Sequence, residues 1–151
     1  MQQDNTQYTI TLRDAQIDDA QAIWKLNDKV FGYEYPLETT RKQLAQLLKN
    51  PFYRFFVVCV EDKVVGYAQA ADYDSTYGEP MKNIMAIAVD EAYQGCGAGR
   101  ALLQAVEAWS RQSGCAGVRL VSGFDRQKAH GFYAHCGYEH RKDQKNFTKK
   151  F

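Results

Sequence analysis

The stretch Ile87–Ala88–Val89–Asp90–Glu91–Ala92–Tyr93–Gln94–Gly95–Cys96–Gly97–Ala98–Gly99–Arg100 decides how the rest of the chain is read. An apolar run ends at Val89 and a short polar turn follows. Gly95, Gly97 and Gly99 then lead into a segment carrying Leu102, Leu103, Val106 and Trp109 at helical spacing. The order is strand, turn, glycine loop, helix. The first N–H groups of such a helix have no intrahelical partner and lie at the positive end of its dipole. Glycines leave that backbone open to close approach, and the combination suits phosphate oxygens. The plainer alternative is a turn that only packs a helix on a sheet.

Two phosphate-binding loops can be compared with it. A Walker loop needs a glycine, four residues, then Gly-Lys-Ser or Gly-Lys-Thr, and no such string exists here. A dinucleotide fingerprint puts its third glycine where this chain has Arg100, and only Asp125 could serve as the acidic residue after the next strand. Neither fits well.

Working outward from the loop, the strand before it covers 83–90 and its helix covers 97–112, closed by Gly114. Another strand follows over 118–122. That strand–helix–strand unit predicts a right-handed crossover between parallel strands. Upstream, Tyr8, Ile10 and Leu12 alternate with polar residues as in a half-buried strand. Asp18 and Gln21 resemble a capping box opening a helix with Ile23, Leu26, Val30 and Phe31, which Gly32 ends. Residues 32–36 read as a loop, and Leu37, Leu44, Leu47 and Leu48 mark a second helix stopped at Asn50–Pro51. Residues 55–61 and 64–72 form a predicted hairpin across Asp62–Lys63. Downstream, 126–136 is a short helix with Ala129, Phe132, Tyr133 and Cys136 three and four apart, and 138–142 and 146–150 are predicted strands.

The chain has 151 residues, 45% of them hydrophobic and 25% charged, with a net charge of +1. This is the size and composition of one ordinary soluble domain. A protein that lives on phosphate neutralisation of nucleic acid shows a basic excess, and this chain has one only in its last dozen or so residues, Arg141, Lys142, Lys145, Lys149 and Lys150. Nucleic acid is therefore a disfavoured partner. No apolar run approaches the ~20 residues of a membrane-spanning helix, and residues 1–7 read as a flexible polar segment, not a signal peptide. The four cysteines, Cys59, Cys96, Cys115 and Cys136, are too scattered for a zinc or redox motif and suit a reducing cytoplasm. His130, His135 and His140 repeat every five residues, which does not stack them on one helix face, so no metal is expected.

The string Gln94, Gly97, Gly99, preceded by Ile87–Ala88–Val89, resembles the acetyl-CoA loop of the GNAT superfamily of N-acetyltransferases, whose pattern is Gln or Arg, two residues, Gly, one residue, then Gly or Ala. The likeness extends over about residues 8 to 150. Leu12–Arg13–Asp14–Ala15 looks like the family's first strand, with its first helix after it. Val64–Val65–Gly66–Tyr67–Ala68 looks like its third strand. Ser122–Gly123, Arg126, Ala129–His130, Phe132–Tyr133 and Gly137–Tyr138 look like its second cofactor-side motif. The fold implied is α/β: a single GNAT-like domain over 1–151 with a mixed, mostly antiparallel sheet, splayed parallel central strands and about four helices.

The resemblance implies acetyl-CoA as cosubstrate and direct transfer of its acetyl group to a primary amine, borne by a small molecule or a peptide. The pantetheine arm would pair with the backbone of Ile87, Ala88 and Val89, and an N–H near Val89 would polarise the thioester carbonyl. The pyrophosphate would lie on Gly95, Cys96, Gly97, Ala98, Gly99 and Arg100, with Gln94 opening the loop. Arg126 stands where many relatives carry Asn, and would contact the cofactor or buttress its neighbours. Arg100 and Lys128 would add charge for phosphates or simply remain solvated. The Cys96 side chain is expected to pack as a bystander. Tyr133 would act as general acid toward the departing thiolate, since a phenol and an alkyl thiol both titrate near 10; packing on its apolar stripe is the other reading.

Some relatives place a glutamate base at the position of Val121, and valine cannot do that job. Carboxylates in the loops after the first helix and the third strand, with Tyr33, Tyr35, Tyr73 and Tyr77 among them, would suit a cationic amine. Among Glu34, Glu38, Asp72, Asp74 and Glu79, the first candidates for base or amine anchor are Glu34 and Asp72. Ordinary polar loop composition is the alternative. A non-catalytic acyl-CoA-binding regulatory module is the second functional class, and Val121 is the feature in its favour. Dimerisation is common in the family, which leaves a homodimer open. The acceptor's identity does not follow from the sequence, because the family fixes the donor and varies the acceptor loops.

Overall fold

The computed structural model describes residues 8–151, so the expectations for residues 1–7 lie outside the described residues. Five strands lie in chain order across one sheet: β1 (Ile10–Asp14), β2 (Tyr53–Val60), β3 (Lys63–Tyr73), β4 (Met81–Val89) and β5 (Val118–Leu120). Neighbours from β1 to β4 are antiparallel, and β4 and β5 are parallel. The helices are α1 (Ala20–Phe31), α2 (Leu37–Leu48), α3 (Ala98–Gln112) and α4 (Gln127–His135). This is the mixed, mostly antiparallel α/β arrangement expected. The chain divides into two compact units, one ending at Leu120 and the other Val121–Phe151. The first holds the sheet with α1, α2 and α3; the second holds α4 and the C-terminal segment.

β2 is buried on both faces because helices cover both sides of the sheet. Phe55, Val57 and Cys59 join Ile23 and Leu26 of α1 and Leu44 of α2 in one cluster. Phe56, Val58 and Val60 alternate to the opposite face, where α3 crosses and buries Leu102, Leu103 and Val106 completely. Burying a side chain of this size stabilises the fold by about 1.5–3 kcal/mol before chain entropy is charged against it. The spacing of apolar residues in the sequence located the buried stripes of α1, α2 and α3.

Several expectations need correction. The carboxylate at the start of α1 is Asp19, not Asp18: its Oδ2 accepts from the Gln16 N–H at 2.7 Å and from Arg13 Nη1 at 2.7 Å. The capping box belongs to a 3₁₀ turn over Ile17–Asp19, with Gln16 at the cap and Asp19 as the third residue that reaches back to it. The hairpin turns at Glu61–Asp62, since Lys63 already pairs with Val60 in β3, and Glu61 has φ 55°. Leu12 is 39% exposed, because β1 is an edge strand.

β5 stops at Leu120, short of 122, and no strand forms over 138–142 or 146–150. Alternation reports strand propensity, whereas a strand also needs a hydrogen-bonded neighbour. Residues 139–151 make no backbone–backbone hydrogen bond among the described residues.

Candidate active site

β4 and β5 pair at Lys82↔Val118, Asn83↔Arg119 and Ile84↔Leu120, and there the pairing stops. β4 continues to Val89 hydrogen-bonded to β3 alone, so the other edge of residues 85–89 has no strand partner among the described residues. A register shift opposite Gln69 and Ala70 leaves Met85 unpaired and 54% exposed, and the bulge turns the strand at the point of separation. Gly66, paired with Val89, keeps β3 close on the opposite edge: a Cβ there would lie 2.9 Å from the Ala88 carbonyl oxygen and 2.9 Å from Val58 Cγ1. The open backbone of Ile87, Ala88 and Val89 is therefore held rigidly from one side.

From Val89 the chain enters the glycine loop. Asp90 caps a 3₁₀ turn over Glu91–Tyr93 by accepting from the Ala92 N–H at 3.1 Å, and Lys29 of α1 reaches its carboxylate at 3.4 Å. Burial opposes ionisation of Asp90, but the Ala92 amide and the Lys29 charge outweigh it and hold the carboxyl below its usual range. Gly95 and Gly97 adopt φ 83° and 90°, and Gly97 caps α3. The first backbone bond into the helix is Ala101 N–H to Gly97 O at 3.0 Å. The N–H groups of Gly95 through Arg100 thus have no backbone acceptor among the described residues.

Gln94, Gly95, Gly97 and Arg100 are exposed, while Ala98 is buried and anchors the helix start. A Cβ at Gly95 would meet nothing within 4 Å. The Cys96 thiol donates to the Tyr93 carbonyl at 2.8 Å, so that side chain turns back into the loop. What remains is a cradle of main-chain donors with Lys29 and Lys63 near Asp90. Its chemistry fits a diphosphate.

A second concave feature lies in the same unit, between α1 and α2. A cavity of about 400 Å³ is lined by Trp24, Asn27, Tyr33, Glu34, Tyr35 and Thr40. Gly32, at φ 70°, ends α1 and turns the chain into the cavity wall. Trp24 Nε1 donates to the Tyr35 carbonyl at 2.5 Å and Gln43 Nε2 donates to the Tyr35 hydroxyl at 3.0 Å, which pins the loop between the helices. The Tyr67 hydroxyl donates to Asn27 Oδ1, and burial pushes that phenol well above its ordinary value. Glu34 is exposed and has no ion-pair partner among the described residues.

The other proposed carboxylate is placed differently. Asp72 lies opposite Lys82 in the β3–β4 ladder and pairs with its ammonium. Lys82 is 5% exposed, and its Nζ also lies 3.9 Å over the Trp109 ring. Trp24, Asn27 and Thr40 were not anticipated from the sequence. A tryptophan and an amide three residues apart on α1, just before the Gly32 loop, were the available signal.

In the second unit, Tyr133 lies on α4 and is 8% exposed, its ring 5.5 Å from Phe132 and 6.3 Å from Tyr138. Burial raises its phenol above the ordinary value of about 10, and the positive charge of Arg126 works against that rise. Arg126 caps α4 and donates its N–H to the Gly123 carbonyl at 3.1 Å, and His130 Nε2 lies 2.8 Å from the same oxygen. Val121 is exposed and carries no ionisable group.

Comparison with known proteins agrees with the fold. Residues 20–138 match the acetyltransferase (GNAT) family. Over 109 residues the chain is 35% identical to an aminoglycoside N(6')-acetyltransferase type 1 of Stenotrophomonas maltophilia, covering 69% of each protein. Among solved structures, a putative acetyltransferase from Agrobacterium tumefaciens superposes with a TM-score of 0.83 at 22% identity, over 92% of this chain and 99% of that one. An aminoglycoside N-acetyltransferase in complex with CoA also gives 0.83, at 15% identity, over 97% and 99%.

Proposed function

The chain belongs to the GNAT acetyltransferase family, and from that premise we propose that it moves an acetyl group from acetyl-CoA directly to a primary amine of a cationic small molecule, with aminoglycosides the first class to test. The observation that carries this reading is the open edge of β4 over residues 85–89 running into the free N–H groups of Gly95 through Arg100. Ile87, Ala88 and Val89 offer backbone to the pantetheine arm, and an N–H near Val89 faces the charge that develops on the thioester oxygen. The loop from Gln94 to Arg100 holds the pyrophosphate, and Arg126 contributes cofactor contact or support for its own loop. The family match crosses the boundary at Leu120, which supports treating the two units as one acetyltransferase domain. The absence of any helix long and apolar enough to cross a membrane, among the described residues, is compatible with a cytoplasmic enzyme.

The amine nitrogen attacks the thioester carbonyl carbon, a C–N bond forms, and the C–S bond breaks. Tyr133 gives its phenolic proton to the leaving sulfur. Its raised pKa keeps that proton in place until the thiolate departs. Glu34 anchors the incoming ammonium in the cavity beside Tyr33 and Tyr35, and passes its released proton to solvent. Asp72 acts through its ion pair with Lys82, setting the charge at the end of β3.

Purified protein with acetyl-CoA and a panel of aminoglycosides, polyamines, amino acids and a peptide amine is expected to release free thiol with at least one cationic small molecule. Mass spectrometry of the product identifies the acetylated nitrogen. Thiol release with none of the panel sinks the substrate class. Tyr133→Phe is expected to lower turnover about tenfold or more with acetyl-CoA affinity unchanged; normal turnover removes its role as acid.

A further inference from the structure

Tyr73, Asn83 and Arg119 come from three neighbouring strands onto one face of the sheet. Ala71 pairs with Asn83 and Asn83 with Arg119, so those side chains share a face, and Tyr73 lies two residues beyond Ala71 on β3. Lys82 and Val118 occupy the alternate row, and Lys82 lies against Trp109 of α3. The Arg119 row is therefore on the side away from α3. Tyr53, paired with Ala71, packs there into the cluster formed by α1 and α2.

Arg119 is half-buried on that face and has no counter-charge. Its Nη1 donates to Asn83 Oδ1 at 2.6 Å, and its guanidinium carbon lies 4.2 Å from the centre of the Tyr73 ring. It makes no ion pair among the described residues. The half-buried arginines before it do, Arg41 with Glu38 at 3.3 Å and Arg54 with Asp14 at 3.0 Å. Asp72 points to the other face, where Lys82 holds it. Partial burial of a cation is costly without an opposite charge, and Asn83 and Tyr73 orient this one without neutralising it. Tyr73 and Tyr77, whose rings would suit an ammonium on sequence alone, stand beside a guanidinium instead. Their hydroxyls share a hydrogen bond, which raises the Tyr77 phenol above its ordinary value, and the Arg119 charge works against that rise. Two hydroxyls sharing one bond leave one O–H to donate elsewhere.

We propose that Arg119, with Tyr73, Asn83 and Tyr77, forms a carboxylate-binding subsite. Nη1 is committed to Asn83, so Nε and Nη2 remain as the fork that a carboxylate meets with two parallel bonds. One positive charge among neutral partners matches one carboxylate, whereas a phosphate monoester brings roughly −1.5 to −2. The carboxylate belongs to the amine acceptor itself or to a separate small acid. Asn83 lies two residues before Met85, about 7 Å along the strand, and there the edge of β4 opens. A carboxylate at Arg119 and an amine at that edge thus fit one molecule. This first source alone rests on the proposed acetyl transfer, and it narrows the acceptor to an amine that also bears an acid.

The test reads binding separately from activity. The full chain, labelled with heavy nitrogen, is titrated with glutarate and with triglycine at constant ionic strength, with chloride and inorganic phosphate as controls. The arginine Nε–H resonance that disappears in Arg119→Gln is expected to shift to saturation with the carboxylates and to stay in place with chloride. Arg119→Lys keeps the charge and loses the fork. Both variants are expected to weaken glutarate binding about tenfold or more, with circular dichroism and acetyl-CoA binding unchanged. Triglycine and its C-terminal amide are then compared as acceptors. A preference for the acid that Arg119→Gln abolishes assigns the carboxylate to the acceptor, and glutarate binding without such a preference assigns it to a separate acid. Absence of acetyl transfer to every amine removes the proposed function and leaves the titration to decide the subsite. No shift with either carboxylate, a shift matched by chloride, tighter binding of phosphate, or binding indifferent to both substitutions overturns the proposal.

Discussion

The loop between β4 and α3 and the loop between α1 and α2 present opposite kinds of surface. The first offers main chain: Gly95 and Gly97 have no side chain to show, and Cys96 turns its thiol back to the Tyr93 carbonyl. The second offers side chains: Trp24, Asn27, Tyr33, Glu34 and Tyr35 line a cavity, and hydrogen bonds from Trp24 and Gln43 hold its wall. Under the proposed function, the surface of backbone donors would read a diphosphate, which is the same on every donor molecule. The surface of side chains would read the acceptor, and such a surface can be rewritten residue by residue without touching the fold.

The sharpest break of this contrast is Gly97→Val. At φ 90° a β-branched residue is strained, although its Cβ would have only Ile10 Cδ1 near it, at 3.9 Å. Acetyl-CoA binding measured by calorimetry is expected to weaken about hundredfold, or about 2.7 kcal/mol. Cys96→Ser is expected to leave it within about twofold, since the thiol already points inward. If Gly97→Val binds acetyl-CoA normally, the donor is held by side chains such as Arg100, and the contrast between the loops fails.

The two carboxylates proposed from the sequence fall on opposite sides of a related division. Asp72→Asn leaves Lys82 almost buried without its counter-charge, and breaking a buried pair from one side costs about 3–5 kcal/mol. Asp72 itself is a quarter exposed, so about 2 kcal/mol is expected in urea unfolding. Glu34→Gln removes no partner and is expected to leave stability unchanged while raising the acceptor KM about fivefold. The opposite result, a destabilised Glu34→Gln and a stable Asp72→Asn with a raised KM, would exchange their roles.

How much of this was legible in the sequence follows from the range of the interactions involved. The glycine loop could be read because its chemistry is local: a strand end, positive-φ glycines and a helix start within fourteen residues. The buried stripes of α1 and α3 could be read from periodicity, whereas β2 is a continuous apolar run whose two faces only the helices on either side distinguish. Gly66 inside a strand pattern was a visible hint of close backbone approach, and the Ala88 carbonyl supplies it. The Asp72–Lys82 pair was not visible, since it depends on the register of β3 against β4. The cavity wall at Trp24 and Asn27 depends on how α1 faces the Gly32 loop. The strands expected at 138–142 and 146–150 do not form, because propensity belongs to a segment, while pairing belongs to two.

The smallest effect separates a carboxylate that serves the scaffold from one left for a ligand. Asp19 is buried, and although burial favours its neutral form, the bidentate Arg13 guanidinium (2.7 and 2.9 Å) and the Gln16 N–H hold its carboxyl below the usual range. A group with a depressed folded pKa lends stability above its unfolded value, about 3.9 for aspartate, and loses it as the pH falls through the folded value. The chain is therefore expected to lose stability below about pH 4. Because Arg13 is 41% exposed, the share from this pair should stay under about 1 kcal/mol. Asp19→Asn should remove that share at neutral pH and flatten the acid limb, as read by urea midpoints at pH 7 and pH 3. Glu34→Gln, which breaks no ion pair among the described residues, should leave the urea midpoint at pH 7 as it is. If Asp19→Asn keeps the full acid limb, the depressed carboxyl responsible is another one, and Asp90, held by Ala92 and Lys29, is the next to replace.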